Sequence, residues 1–378
     1  LWHVLVASNT LAIKQESTGE VAHLQLAACF PAFAIVGLTA RFVMLPVFDL
    51  HCDLLAYLAN IDGADPMSNE IGCSIPALKA GNVQMQTLAI FTTTGVGSAA
   101  LGVQQAFVFE ELVAAAEDRH FVPLEHPAMI EDMPCSNESV ERIIGIAAIE
   151  NASGFCEEDE ALEEGLERLE FMLEIVSPLL YISLTHNDEN RFGGGNYSGS
   201  ENGRDGGVGL KDDGRALLEF LSGRRIAVDL SHASDALARD VLDYTYSHGL
   251  DIPILASHSN TRAVYSHVRN LPDDVAQEII ARDGLIGITL CAEFIHEYNS
   301  NVLMEHIAYV CDVLGGANAL ALGSDFFYTP DESEFFYDYR DAAQFSFMFA
   351  QAASWLDEDQ LRNFAYGNVQ RFLQQLWS

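Results

Sequence analysis

Four apolar runs in the chain each stop on a histidine or an acid: VFDLHCD at 47–53, IGIAAIE at 144–150, RIAVDLSH at 225–232 and IPILASH at 252–258. A fifth, LALGSD at 320–325, stops on Asp325. Imidazole and carboxylate together are the donors of a divalent metal site, where bound water becomes a nucleophile near neutral pH. His51 and Asp53 stand two residues apart, which puts both side chains on one face of a strand and turns Cys52 away from it. Glu150 ends so apolar a run that its carboxylate needs compensation, either a buried arginine or metal. One carboxylate can also bridge two ions. His232 and His258 follow successive strands in similar frames, DLSH and LASH. One such histidine reads as a hydrogen-bonded core residue, whereas the pair points to metal. Asp325 fits a ligand, a helix cap or the general base of a hydrolytic centre. His186, in LTHND, shares the mouth of the same site. The other histidines (His3, His23, His120, His126, His248, His267, His296 and His306) read as surface groups or as part of the N-terminal extension.

These residues need a scaffold that gathers strand ends. From 44 onward, Val/Ile/Leu/Ala runs alternate with helix-like stretches, the pattern of parallel strands with crossover helices. Eight candidate strands fall at 46–51, 83–92, 143–149, 179–185, 225–231, 252–257, 285–290 and 319–324. Helical patterns lie between them, among them 102–119 and 159–176; the latter carries Leu162, Leu166, Leu169 and Met172 on one face and acids on the solvated one. Eight such units predict an α/β fold of the (β/α)8 TIM-barrel type, whose chemistry collects at the carboxyl ends of the strands. A doubly wound sheet is disfavoured because there is no glycine-rich phosphate loop. GGGNYSGSENGRDGGVG at 193–209 reads as a long mobile loop at the barrel mouth, a candidate lid. A serine nucleophile is unsupported, since no GxSxG elbow occurs.

The chain has 378 residues, 49% hydrophobic, with 55 acids against 19 Lys plus Arg and a formal charge of −36. Such a surface repels nucleic acid and anionic membranes. Seven dispersed cysteines without a CxxC pair predict reduced thiols and a cytoplasmic protein. The chain begins at Leu1, and residues 1–43 read as an atypical upstream extension ahead of a single domain at 44–378. LQLAACFPAFAIVGLTA at 24–40 is apolar but too short and poorly flanked for a membrane span or signal peptide. Its Cys29 precedes the apolar segment, the reverse of a lipoprotein cleavage box.

With these residues in place, the chain resembles the membrane (renal) dipeptidase family of zinc peptidases, within the amidohydrolase-type barrels. The pieces are DLHCDLL (49–55), the glutamate of IGIAAIEN, LTHN (184–187), DLSHAS (229–234), SHSNTRAVYSHVRNLPDD (257–274), LGSDF (322–326) and YGNVQRF (366–372). The resemblance implies two zinc ions, with His51 and Asp53 on one, His232 and His258 on the other, and Glu150 bridging. It implies Asp325 as catalytic acid/base, His186 as the histidine near the scissile carbonyl, and Arg269 as the holder of the substrate's terminal carboxylate. It further implies a dipeptide substrate and a homodimer. Phe327 and Tyr328 stand where the family commonly has Asp-Gly, and Asn151-Ala152 where it often has Gly-Gly, so the pocket rim is expected to differ. Two alternatives accompany this reading: a related amidohydrolase acting on an N-acyl amino acid or lactam, and a metal-retaining binding protein without catalysis.

Overall fold

The computed structural model describes residues 2–7, 10–15, 21–25, 45–114, 120–126, 128–131, 140–199 and 206–377. It divides into two compact units, Leu1–Val43 and Met44–Ser378. The first contains three antiparallel strands, Trp2–Ala7, Thr10–Gln15 and Val21–Gln25, paired in chain order. Most of the apolar stretch at 24–40, Cys29 included, lies outside the described residues.

The second unit is a barrel of eight parallel strands: β1 Val47–Cys52, β2 Val83–Phe91, β3 Ile143–Glu150, β4 Leu179–Ser183, β5 Ala227–Asp229, β6 Ile254–Leu255, β7 Ile286–Ile288 and β8 Leu320–Leu322. Neighbours in sequence are neighbours in the sheet, and β8 returns to β1. A parallel bridge between Ala256 and Ile286 joins β6 to β7 and completes the ring. An additional short strand, Phe121–Pro123, pairs in parallel with the first residues of β3, Ile143–Gly145. All eight residues of β3 are buried, as are eight of the nine in β2, which is why these segments read as unbroken apolar runs.

Crossover helices cover the barrel. Ser98–Ala114, Leu162–Val176, Asp212–Leu221, Asp235–Ser247 and Asp273–Ala281 each follow a strand, β2 to β6 in turn. Helix Leu162–Val176 buries Gly165, Leu169, Met172 and Val176 and leaves Glu163, Glu164, Glu167 and Glu170 exposed, the division expected of an amphipathic crossover.

Register brings the strand ends level. Glu150 pairs with Phe91 on one side and Ser183 on the other, Ser183 pairs with Asp229, and Asp229 with Leu255. Asp49 pairs with Leu322 across the β1–β8 seam. Close approach of backbone matters most beside β6. A Cβ at Gly287 would lie 1.9 Å from the Ser257 carbonyl oxygen, and one at Gly323 only 1.8 Å from the same atom. Gly287→Ala is therefore expected to destabilise the barrel by about 1–3 kcal/mol or more. Gly95→Ala, where the added carbon meets open space, should stay within about 1 kcal/mol of the parent in urea titrations.

Candidate metal centre

The five ligand candidates converge. His232 Nε2 lies 2.9 Å from Glu150 Oε1, His258 Nε2 lies 3.5 Å from the same oxygen, and His51 Nε2 lies 3.2 Å from Glu150 Oε2. The Nε2 atoms of His232 and His258 are themselves 2.9 Å apart. Three groups have ligand atoms all within 4.8 Å of one another: His51, Asp53 and Glu150; Glu150, His232 and His258; and His51, His258 and Asp325. All six residues are buried, with Asp53 at 8% and Asp325 at 7% the most exposed. Glu150 is thus surrounded by imidazoles, and the buried arginine partner considered from sequence is not what compensates it.

Hydrogen bonds behind the imidazoles define what they present to the centre. His51 Nδ1 is 2.6 Å from the Tyr181 hydroxyl, which itself donates to the Leu50 carbonyl. His258 Nδ1 is 2.7 Å from Ser257 Oγ, which donates to Asp229. His232 Nδ1 is 2.9 Å from Asn187 Oδ1, an acceptor only. In each case the oxygen is left to accept, so Nδ1 carries the proton and Nε2 offers its lone pair inward. His51 Nε2 and Asp53 Oδ1 are buried and make no hydrogen bond. Convergent lone pairs and carboxylates, with His51 Nε2 and Asp53 Oδ1 left without partners, fit a divalent cation.

Electrostatics carry the same signature. Burial and the adjacent Glu150 carboxylate push Asp53 well up. His51 has burial working against its charged form, yet Glu150, Asp53 and Asp325 raise it to about 10. Burial acts to raise Glu150, but His51, His232 and His258 hold it well below the usual carboxylate range. His232 and His258 are driven well down, first by burial.

The remaining sequence candidates border this cluster. Asp325 Oδ1 is 3.5 Å from His51 Nε2, and Cys291 Sγ is 3.2 Å from its other carboxylate oxygen. Burial pushes Asp325 up to about 6. His186 Nε2 is 3.9 Å from Glu150 Oε1, its ring edge-on to Phe91, and burial lowers its basicity. Arg269 is 2% exposed; Nη1 donates to Ser259 Oγ, while Nε and Nη2 have no partner. Its guanidinium lies over Phe294, one of the residues lining a cavity of about 390 Å³ that Asp53, Glu150, His186, His232 and Asp325 also line. Cys52, buried at 0%, belongs to none of the ligand groups found among the described residues.

Two expectations are corrected. The 193–209 segment is not a mobile lid where it is described: Gly194, Gly195, Asn196 and Ser198 are buried, and Asn196 donates through its backbone N to the His232 carbonyl and through Nδ2 to the Ala233 carbonyl. Its glycines serve close packing, since a Cβ at Gly195 would lie 1.9 Å from the His186 carbonyl oxygen. Residues 200–205 fall outside the described residues. His306 is not at the surface. It is fully buried, its Nδ1 meeting Thr261 N and Oγ1 and its Nε2 the Ile295 carbonyl oxygen, and burial lowers it to about 4. His267 is likewise partly buried, accepting from the Arg269 backbone N. His3 and His23 have no described side chains.

A family model described as membrane dipeptidase (peptidase family M19) matches residues 39–377. An uncharacterized dipeptidase of Schizosaccharomyces pombe is 31% identical over 150 residues, covering 39% of this chain and 34% of the relative. Dipeptidase aclJ of Aspergillus oryzae is 33% identical over 151 residues, covering 39% and 33%. The match thus spans about a third of the length of these two relatives. Among solved structures, a metallo peptidase from Rhodobacter sphaeroides, liganded with a phosphinate mimic of the dipeptide L-Ala-D-Ala, superposes with a TM-score of 0.73 at 20% identity, covering 88% of this chain and 99% of that one. That likeness establishes the barrel fold.

The Tyr181 hydroxyl is the simplest probe of the supporting hydrogen bonds. Tyr181→Phe frees His51 Nδ1 and is expected to weaken divalent-metal binding by about 10- to 100-fold. Competition with a chromophoric chelator measures this, with the folded state checked by circular dichroism.

Proposed function

The chain belongs to the membrane dipeptidase family, peptidase family M19, and from that premise we propose that residues 44–378 form a zinc-dependent dipeptidase that hydrolyses dipeptides with a free C-terminal carboxylate. The observation that carries this is the convergence of His51, Asp53, His232 and His258 around one buried carboxylate, Glu150, shared by two of the ligand groups. In this reading His51 and Asp53 hold one zinc ion, His232 and His258 a second, and Glu150 belongs to both. The chemistry two such ions supply when bound is Lewis acidity, which acidifies a water toward a pKa of about 7 and polarises a carbonyl.

The protein's own groups do the rest. Asp325, raised to about 6 by burial, takes a proton on its carboxylate as water attacks and gives it to the leaving amine. His186 Nε2 donates to the carbonyl oxygen as negative charge develops there. Arg269 keeps Nε and Nη2 unpaired in a buried position, and its planar fork matches a terminal carboxylate. That unsatisfied guanidinium favours a dipeptide over a lactam or other amide without a carboxylate. A phosphinate mimic of L-Ala-D-Ala is bound by the Rhodobacter relative, which supports small dipeptides as the substrate class and makes a D-residue at the C-terminal position worth including in assays. The five described cysteines are buried and free, which supports the proposal of a reducing, cytoplasmic setting. Among the described residues no helix is long and apolar enough to cross a membrane. The family resemblance adds a homodimer to the proposal.

Purified protein loaded under zinc-replete conditions is expected to hold close to two zinc ions per chain by plasma emission spectrometry, and to lose dipeptide hydrolysis on chelation. Absence of tightly bound metal would remove the binuclear reading. Arg269→Ala is expected to lower kcat/KM by about 10- to 150-fold for free dipeptides, the loss of a charged hydrogen-bond pair. The same variant should show no further loss when the C-terminal carboxylate is amidated. Asp325→Asn should depress kcat by about 10²–10⁴-fold with zinc content retained.

A further inference from the structure

The outer wall of the 390 Å³ cavity is aromatic. Tyr57, on the helix Leu54–Asn60 after β1, stacks on Tyr328, in the segment after β8, with ring centroids 5.2 Å apart and planes inclined by 29°. Tyr57 is 2% exposed and its hydroxyl donates to Glu70, so its ring is fixed. Tyr328 is 37% exposed and lines the cavity beside Ile61 and Phe327. Phe327 is in turn braced by Phe335, with centroids 5.1 Å apart. This wall stands at the β8–β1 side of the mouth. Arg269 enters from the loop after β6, and Glu150 rises from β3. Phe294, under the Arg269 guanidinium, and the Tyr57–Tyr328 pair line the same cavity as Asp53, Glu150 and Asp325, so a dipeptide whose carboxylate meets Arg269 and whose scissile carbonyl lies over the ligand cluster has the Tyr57–Tyr328 wall in the same cavity to take its N-terminal residue.

Charge at the same cavity narrows the choice of side chain. Glu293 and Glu334 both line it, and Glu334 is pushed up by burial and by the neighbouring acids Glu293 and Asp331. A second carboxylate entering this cavity, beyond the one that Arg269 pairs, would meet their negative charge without a cation of its own. Apolar rings, by contrast, gain from covering the open face of Tyr328.

We propose that the Tyr57–Tyr328 wall is the specificity pocket for the side chain of the substrate's N-terminal residue, selecting a bulky apolar or aromatic group over a small or an anionic one. The assignment rests on the dipeptidase reading above. The test is kcat/KM for four zinc-enzyme substrates, Phe-Ala, Leu-Ala, Ala-Ala and Glu-Ala, with the parent, Tyr328→Ala and Tyr328→Phe. The parent should prefer Phe-Ala to Ala-Ala by at least about tenfold, with Glu-Ala the slowest. Tyr328→Ala should shrink the Phe-Ala to Ala-Ala ratio by about tenfold, mainly through KM, whereas Tyr328→Phe should preserve it. Equal rates for Phe-Ala and Ala-Ala in the parent, or a ratio that Tyr328→Ala does not move, overturns the pocket and leaves the dipeptidase reading intact. Glu-Ala cleaved as fast as Phe-Ala overturns the selection against anionic side chains. Failure to cleave any of the four overturns both.

Discussion

The carboxylate of Glu150 is the constraint on which the site depends. It is 2% exposed, and the Nε2 atoms of His51, His186, His232 and His258 lie 2.9–3.9 Å from its oxygens. An ion in so dry a position costs several kcal/mol unless compensated. Among protein groups, the His51 imidazole is the nearest source of compensation, since Glu150, Asp53 and Asp325 favour its charged form against burial. This is an incomplete solution, because His232 and His258 are driven the other way and still press their lone pairs together at 2.9 Å. A divalent cation held between the imidazoles and the carboxylate would resolve both conflicts.

Holding such a cluster in place requires strand ends that cannot drift, and two further buried carboxylates supply the ties. Asp49 accepts from Ser324 N, Ser324 Oγ and His51 N, and so clamps β1 to the end of β8 between the His51 and Asp325 positions. Asp229 accepts from Ser183 Oγ, Ser257 Oγ, Ser257 N and Ser231 N, which joins β4, β5 and β6. Burial raises both carboxyls, Asp49 to about 6, while the serine and backbone donors oppose the shift. These acids never face the cavity. They hold the backbone from which the candidate ligands His51 and His258 project, the outer-partner role that orients ligands in metal sites.

Legibility in the sequence follows burial pattern and local spacing. Strands β2 and β3 were readable because both faces are buried, which writes a continuous apolar run; β5 and β6 are shorter than their runs because Ile226 and Ile252 pack outside the ladder. Candidate ligands at strand ends stand out because an ionisable residue after such a run needs compensation. Asp49 and Asp229 sit inside the same runs, yet their partners Ser324 and Ser257 are 275 and 28 residues away, a pairing that no local pattern records. Tyr181 is hidden for the same reason, 130 residues from His51. The glycines of 193–209 misled in the other direction. Glycine richness marks flexibility and close packing alike, and only the His232 and Ala233 carbonyls that Asn196 reaches decide between them. His306 sits in the apolar helix Val302–Ala308, but a lone histidine there does not show which face it takes, and its role, bonding Thr261 to Ile295, joins residues 45 and 11 positions away.

The chain leaves three of the strands by a common device. Asn151, immediately after Glu150, has φ of 76°, His232 has 66° and Asp325 has 62°. Positive φ in non-glycine residues is uncommon and is concentrated in Asn, Asp and His, the three types found here. Such backbone costs on the order of 1–3 kcal/mol per residue and persists only where surrounding bonds over-determine it. They do so at each position. Asn151 Nδ2 donates to the Thr92 carbonyl and its Oδ1 accepts from Ser153 N; the His232 carbonyl accepts from Asn196 N; Asp325 N donates to the His51 carbonyl. Left-handed backbone just after Glu150, and three residues beyond the ends of β5 and β8, turns the chain beside the cluster, while the His232 and Asp325 side chains reach Glu150 and His51. The motifs DLSH and LGSD therefore specify more than the candidate site groups His232 and Asp325. Their final residue combines a donor group with a tolerance for left-handed backbone, so a glycine there would relieve the strain and lose the chemistry, and a β-branched residue would supply neither.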